Sequence, residues 1–218
     1  MEAAVLPFLI VPAVLAVTVH EIAHGWVALQ MGDRTAADAG RLSFNPLRHV
    51  DPIGTLAVPA VLFAGGQLLT GSGFFFGWAK PVPVHWGALH PLRPGIAAVA
   101  AAGPGANLLM LGAWAVTGLV MVHAGVQSDA LIYMCQAGII FNAAIMIINL
   151  IPIPPLDGSR IVTAMLPAAW ARRFNRLEPY GLLIVVGAAV ALSATGRLET
   201  VFAPLFGLAN RILHAMGM

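Results

Sequence analysis

Residues 3–31 read AAVLPFLIVPAVLAVTVHEIAHGWVALQM, an apolar run interrupted near its centre by His20, Glu21 and His24. About twenty mostly apolar residues suffice to cross a membrane as a helix. On that helix, two histidines four residues apart lie on one face and can bind one metal ion, with Glu21 beside them as a base for activating water. Because charged groups are costly inside a membrane, they usually mark a functional site. The alternative is a polar cluster that faces the surface or joins two helices.

Composition places the whole chain in the membrane class. Of its 218 residues, 59% are hydrophobic and 9% charged, and the mean hydropathy is +0.87, whereas about a quarter of residues in soluble domains are charged. Short connections between the apolar runs predict a single integral membrane domain over residues 1–218, with a core at 3–160 and C-terminal helices at 161–218. The basic residues are scattered, which argues against a nucleic-acid partner. Cys135 is the one cysteine, which excludes an intrachain disulfide.

Several charge-poor runs have the length of a membrane-crossing segment, and a shorter apolar piece at 201–218 follows them. They are residues 3–31, 52–79, 94–128, 130–156 and 179–196. We therefore predict an all-α polytopic protein of the cell membrane, a bundle of about five to six transmembrane or re-entrant segments. Alternating apolar and polar residues at 41–45, followed by Pro46, predict a small membrane-associated β-hairpin after the first helix.

Arginine and lysine residues indicate the orientation. They follow the first run, flank the third and follow the fourth, whereas the link at 123–129 has none. Positive residues and the active site are therefore expected on the cytoplasmic side. This arrangement needs residues 52–79 to enter and leave on the same side. Break points at Pro59, 65–66 and 71–73 predict a re-entrant hairpin there, because a simple span would reverse every later segment.

A third metal ligand is needed, because catalytic zinc sites typically have three protein ligands and an open position. Asp157 lies in the stretch NLIPIPPLDG at 149–158, which ends the fourth run at about the depth of the two histidines. Prolines prevent a regular helix here, and the freed backbone groups are tolerated in a membrane only within protein or a water-lined cavity. Alternatively, Asp157 caps a helix that begins at Gly158 or Ser159, and the two roles can coexist.

Five motifs occur in the order found in a known family. They are HEIAHGW at 20–26, GRLSFNPL at 40–47, GWAKPVPV at 77–84, AGPGAN at 102–107 and NLIPIPPLDG at 149–158. Together they resemble the site-2 protease family of intramembrane zinc metalloproteases, in the short bacterial and archaeal form without PDZ or CBS domains. The resemblance implies that His20, His24 and Asp157 bind one Zn²⁺ ion and that Glu21 is the general base.

The same resemblance implies further roles. Asn149 would contact the substrate backbone or the developing oxyanion, whereas the residue alone favours an interhelical hydrogen bond. The hairpin would guide the substrate, offering a strand edge to an unwound segment, at Arg41, Leu42, Ser43, Phe44 and Asn45. Gly103, Pro104 and Asn107 belong to a small-residue motif that fits close helix packing, with support of the active site as a second role.

The metal motif and the resemblance together predict hydrolysis of peptide bonds within or near transmembrane segments of membrane proteins. Two alternatives from other classes stay open, a membrane metal transporter and a non-catalytic protein that binds membrane segments. Replacing Glu21 by glutamine discriminates between them, since zinc should stay while hydrolysis is lost in a protease. The expected partners are transmembrane protein substrates and the lipid bilayer, and the sequence gives no oligomeric state.

Overall fold

The structure, a computed structural model, describes residues 6–70, 77–126 and 128–197, with Thr200, Ala203, Gly207 and Arg211, and the regular secondary structure of this part is entirely helical. Short 3-10 helices at Pro46–His49 and Trp86–Ala88 and a π-helical turn at Pro52–Ala57 lie between the longer elements. The all-α class predicted from the sequence is confirmed. The α-helices are α1 Leu6–Gln30, α2 Thr35–Asp38, α3 Val58–Thr70, α4 Leu92–His123, α5 Asp129–Leu150, α6 Asp157–Met165, α7 Ala168–Asn175 and α8 Glu178–Ala194.

Three helices are long and apolar enough to cross a membrane: Phe8–Gln30, Leu92–His123 and Asp129–Leu150. A pair bent by 41°, Ala168–Asn175 and Glu178–Leu192, would make a fourth span if the two helices cross together. The total of five to six segments stays a prediction, and most of 201–218 lies outside the described residues.

The three long helices pack against one another, and α6 packs on α4. Between α4 and α5, buried Ile139 contacts Leu111 and Trp114, and the Trp114 ring lies directly over Gly138, where any side chain would collide with it. Small residues allow such close helix contacts. The packing brings the middle of α4 against α1 beside its two histidines.

The predicted β-hairpin at 41–45 is wrong, because the described residues contain no strand. Local side-chain bonds organise this stretch instead. The Asn45 carboxamide accepts the N–H two residues on, at 3.0 Å, and thereby begins the 3-10 helix. The His49 ring donates through Nε2 to the Ser43 carbonyl at 2.9 Å. Side-chain bonds of this kind compete with strand pairing, so the stretch is an irregular loop without an open strand edge.

Residues 52–79 begin and end side by side. The Trp78 N–H donates to the Gly54 carbonyl at 3.1 Å, and the Thr55 hydroxyl donates to the Trp78 carbonyl at 2.9 Å. The π-helical turn continues directly into α3, and the apolar helix that the two form, Pro52–Leu68, is shorter than the roughly twenty residues that a straight span needs. Adjacent ends are what the predicted re-entrant hairpin requires. The predicted breaks at Pro59 and 65–66 are wrong, because both positions lie inside the unbroken helix α3, and the one at 71–73 lies outside the described residues.

Candidate metal centre

The middle of α1 carries the first two candidate ligands. His20 and His24 are one turn apart and 5% and 9% exposed, and their Nε2 atoms are 3.0 Å apart. Gly25, the next residue, lets other segments approach this turn, because a Cβ there would lie 2.6 Å from Leu42 and 2.8 Å from Val82. The helical spacing thus produces the shared face that the sequence predicts.

Asp157, at the first position of α6, is the third candidate ligand. Its Oδ2 lies 3.3 Å from Nε2 of both His20 and His24. The residue before it, Leu156, is the N-cap, and no side chain caps this helix. The capping alternative is therefore not observed. Gly158 lets the chain turn back on itself after the proline-rich stretch, since a Cβ there would lie 2.7 Å from the Ile151 carbonyl oxygen.

The chemistry of these three atoms fits a metal cation. Asp157 Oδ2 is buried and has no hydrogen-bond partner in the described part of the chain. Both histidines present Nε2 lone pairs to it, so three electron-rich atoms face one another. Four ligands placed tetrahedrally at about 2.0–2.1 Å from zinc are about 3.3 Å apart, close to the 3.0 and 3.3 Å separations here. Among the described residues, this is the group of histidine and acidic side chains that could hold an ion.

Partners on α4 fix which ring nitrogen of each histidine carries the proton. His20 Nδ1 lies 2.6 Å from Asn107 Oδ1, and His24 Nδ1 lies 2.7 Å from the Val99 carbonyl oxygen. Because both partners are acceptors, each Nδ1 donates and each Nε2 keeps its lone pair for a metal. Asn107 is itself held, since its Nδ2 donates to Asn142 Oδ1 at 2.9 Å. Asn107 therefore contacts the candidate site directly, which agrees with support of the active site, the second role that the sequence analysis gives it.

Gly103, also on α4, gives the two histidines the space they occupy. A Cβ at this position would lie 2.7 Å from His20 Nε2 and would meet the His24 ring as well. The adjacent Pro104 is buried and has no N–H for the carbonyl four residues earlier. Of the three residues predicted as structural support, Gly103 and Asn107 contact the metal ligands.

Replacing Gly103 by alanine is expected to lower zinc affinity by at least about tenfold although every ligand is retained, because the methyl group displaces both rings. The matched control is Gly105→Ala, two residues further along the same helix, where a Cβ meets open space. Zinc per chain, measured on purified protein, should fall for the first variant and not for the second. Equal zinc contents in the two variants would contradict the role of Gly103 in leaving space for the two rings.

Glu21 lies beside the ligands and is held by the backbone of another segment. Its Oε2 accepts the Val82 N–H at 2.7 Å. Val82 is 7% exposed and belongs to the irregular stretch before the second 3-10 helix. Nothing in the sequence signals a contact made by a backbone N–H, so sequence analysis missed this positioning residue.

Asp33, just beyond the end of α1, ties the segment that carries Val82 to α1. Its buried carboxylate accepts the His85 N–H at 2.7 Å and the Thr35 N–H at 2.9 Å. Burial acts to raise the pKa of Asp33, but the Thr35 hydroxyl also donates to this carboxylate, and together the hydroxyl and the two backbone N–H groups outweigh burial and hold that pKa below its usual range. The tie therefore contributes at neutral pH and is lost as the pH falls through the lowered pKa.

The other predicted site residues lie apart from the ligand set. The Asn149 amide donates to the Ile145 carbonyl of its own helix at 3.0 Å, so the interhelical bond is not observed. Leu42 packs against Gly25, one turn beyond Glu21. Arg41 donates to the Lys80 carbonyl at 2.9 Å. None of these contacts involves a metal ligand.

Comparison with known proteins agrees with this geometry. The chain is 34% identical over 187 residues to "Putative zinc metalloprotease YwhC" of Bacillus subtilis, a match that covers 82% of this chain and 78% of the relative. The sequence model of peptidase family M50 matches residues 109–194. The chain belongs to peptidase family M50, the site-2 protease family.

Two further relatives also carry the name of a zinc metalloprotease. "Putative zinc metalloprotease Rip2" of Mycolicibacterium smegmatis is 30% identical over 176 residues, and the chain spans 62% of its length. The protein of that name from Mycobacterium tuberculosis strain H37Rv is 26% identical over 201 residues, covering 90% of this chain and 71% of the relative. No solved structure matches the chain. Membership in M50 favours a peptidase over the metal transporter and the non-catalytic binder.

Proposed function

We propose that this chain is a zinc metalloprotease that cleaves peptide bonds within or near transmembrane segments of membrane proteins. One observation carries the proposal: two unprotonated imidazole nitrogens lie 3.0–3.3 Å from each other and from a carboxylate oxygen that has no hydrogen-bond partner among the described residues, beside Glu21. One Zn²⁺ ion on these ligands would supply Lewis acidity, polarising the scissile carbonyl and making water nucleophilic near neutral pH.

Glu21 performs the proton transfers in this proposal. Its carboxylate takes the proton of the attacking water and delivers it to the leaving amine. The Val82 N–H bonds to Oε2 and so restricts the carboxylate while leaving its other oxygen free. Asn149 is the proposed donor to the developing oxyanion. Its amide has two hydrogens, and the bond to Ile145 uses one of them.

The proposed substrate is an apolar segment of a membrane protein. Its support is a cavity of about 280 Å³ lined on one side by α1 and on the other by residues 46–59 and 77–79. Val14, Val17 and Thr18 line this cavity and share with Glu21 one face of α1. An apolar segment in the cavity would therefore extend along α1 toward the base.

Polar and loop residues at the cavity supply contacts for an unwound backbone. The Nδ1 atom of His49 is buried at the cavity without a hydrogen-bond partner among the described residues, so it can accept a substrate N–H. The stretch 41–45 is retained as a proposed substrate contact. Its support is Leu42, which packs on α1 one turn beyond Glu21, rather than a strand edge.

The test of this function is digestion of a panel of transmembrane peptides by the protein purified in detergent, with metal analysis of the same sample. Cleavage is expected from the zinc-containing protein, loss on treatment with a chelator, and recovery when zinc is restored. Zinc-containing protein that cleaves no member of a broad panel would count against the proposal.

We further propose that the active site lies toward the cytoplasmic side of the cell membrane and that 52–79 is re-entrant. Cysteines placed at Asn45 and His85, in a Cys135→Ser background, report on the loops before and after that segment. Both positions should react with a membrane-impermeant thiol reagent from the cytoplasmic side. Reaction of position 85 only from the outer side would contradict the hairpin.

A further inference from the structure

A second pocket, of about 440 Å³, lies between the loop after α2 and the start of the segment that carries Val82. Three of its lining residues are cationic: Arg41, Arg48 and Lys80. The others are small or apolar, so the lining contains no acidic side chain. The pocket takes no part in the metal centre described above.

Backbone carbonyls hold two of the cations in place. Arg41 Nη2 donates to the Lys80 carbonyl at 2.9 Å, and Arg48 Nη1 donates to the Gly40 carbonyl. Gly40 has a φ of +64°, a left-handed conformation that brings its carbonyl to Arg48 without strain. These bonds restrict the guanidinium groups but leave most of their N–H donors for a ligand.

The positive charge of the pocket is not compensated within the described residues, where none of the three cations has a carboxylate at ion-pair distance. The nearby acids are engaged elsewhere: Asp38 pairs with Arg34 at 3.6 Å, and Asp51 accepts the backbone N–H groups of residues 53 and 54. Arg41 Nε is buried and has no hydrogen-bond partner among the residues that the structure describes. Such a lining is complementary to an anion with several acceptor oxygens, such as a phosphate group.

The apolar surroundings indicate the source of that phosphate. Leu47 lines the pocket and is 77% exposed, and Phe44, three residues earlier, is 72% exposed. Exposed apolar side chains beside clustered cations are typical of a surface at the boundary of headgroups and acyl chains. We propose that this pocket binds the phosphodiester headgroup of an anionic phospholipid, with Phe44 and Leu47 among its acyl chains.

A bound headgroup would join two parts of the chain that meet at the active site. Lys80 precedes by two residues Val82, whose N–H holds Glu21, while Arg41 and Arg48 come from the loop that packs on α1. The lipid would thus anchor the segment that positions the general base. Lipid binding at this pocket does not depend on catalysis and needs only the membrane location of the family.

Native mass spectrometry of the full zinc-loaded chain in detergent tests the proposal, with phosphatidylglycerol, phosphatidylcholine and inorganic phosphate as separate probes. The wild type should retain one phosphatidylglycerol, and the variant Arg41→Gln/Arg48→Gln/Lys80→Gln should bind it at least about tenfold more weakly. The matched control removes the same charge elsewhere, at three exposed arginines, as Arg172→Gln/Arg173→Gln/Arg176→Gln. It should bind the lipid like the wild type.

The proposal would be overturned by equal binding by the wild type and the pocket variant, by equal loss in the control, or by retention of inorganic phosphate without phosphatidylglycerol. Phosphatidylcholine bound as tightly as phosphatidylglycerol would also overturn it. Zinc content and melting temperature establish that the pocket variant is folded. If the triple variant fails that check, Arg48→Gln and Lys80→Gln are each expected to weaken binding by about fivefold.

Discussion

Glu21→Gln is expected to abolish peptide hydrolysis while leaving zinc bound. Proton transfer by a positioned base contributes about a hundred- to ten-thousandfold in rate, so cleavage of a transmembrane peptide should fall by at least about a hundredfold. The substitution is nearly isosteric, and the glutamine oxygen can still accept the Val82 N–H that Oε2 accepts at 2.7 Å. The three ligand atoms are unchanged, so zinc per chain should equal that of the wild type.

Rate and zinc content measured on one preparation distinguish this outcome from misfolding. Glu178→Gln is the matched control, because it makes the same chemical change at a residue paired with Arg160 outside the ligand set. It should cleave at close to the wild-type rate. Persistent cleavage by Glu21→Gln would remove this residue from its proposed role as base, whatever the metal content.

Asp157→Asn is expected to remove the metal and, with it, the activity. Loss of a supporting hydrogen bond typically costs 10- to 100-fold in metal affinity, and loss of a charged ligand should cost more than about a hundredfold. Asp157 Oδ2 has no hydrogen-bond partner in the described residues, so replacing the carboxylate by an amide breaks no hydrogen bond of that atom within the fold. The helix it begins has no side-chain cap to lose.

Metal analysis after dialysis against a weak chelator provides the measurement. Asp38→Asn serves as the control, since its carboxylate lies in an exposed pair with Arg34 at 3.6 Å, and its zinc content should be unchanged. Added zinc should restore the chelated wild type and not Asp157→Asn. Full zinc retention by Asp157→Asn would mean that another group completes the site.

The cluster of His20, His24 and Asp157 could be predicted from the sequence because each position has a local cause. The spacing of His20 and His24 is fixed by the helical repeat, and the prolines before Asp157 end α5 and begin a new helix at the carboxylate. The residues that hydrogen-bond to these three side chains were harder to predict. A buried amide such as Asn107 has packing and site-supporting roles that look alike in a sequence, and only the 2.6 Å contact to His20 separates them.

The sequence-based predictions fail where tertiary contacts or backbone atoms determine the local structure. Alternation at 41–45 predicted strands, but the side chains of Asn45 and His49 bond to nearby backbone and hold a loop. Val82 acts through its N–H, a group that every residue except proline carries, so the sequence does not single it out. Asn142 could have been predicted from the sequence, because an amide inside the apolar helix α5 needs a hydrogen-bond partner. Its Oδ1 accepts from Asn107 Nδ2 at 2.9 Å.

The convergence of three lone pairs at the centre of the bundle has a consequence for the lifetime of the protein. Their mutual repulsion opposes the docking of α6 against α1, and a divalent cation replaces that repulsion with attraction, so ion binding stabilises the docked position of α6. Supply of zinc to the cell should therefore affect how much of this protein survives in the membrane, apart from how fast each molecule works.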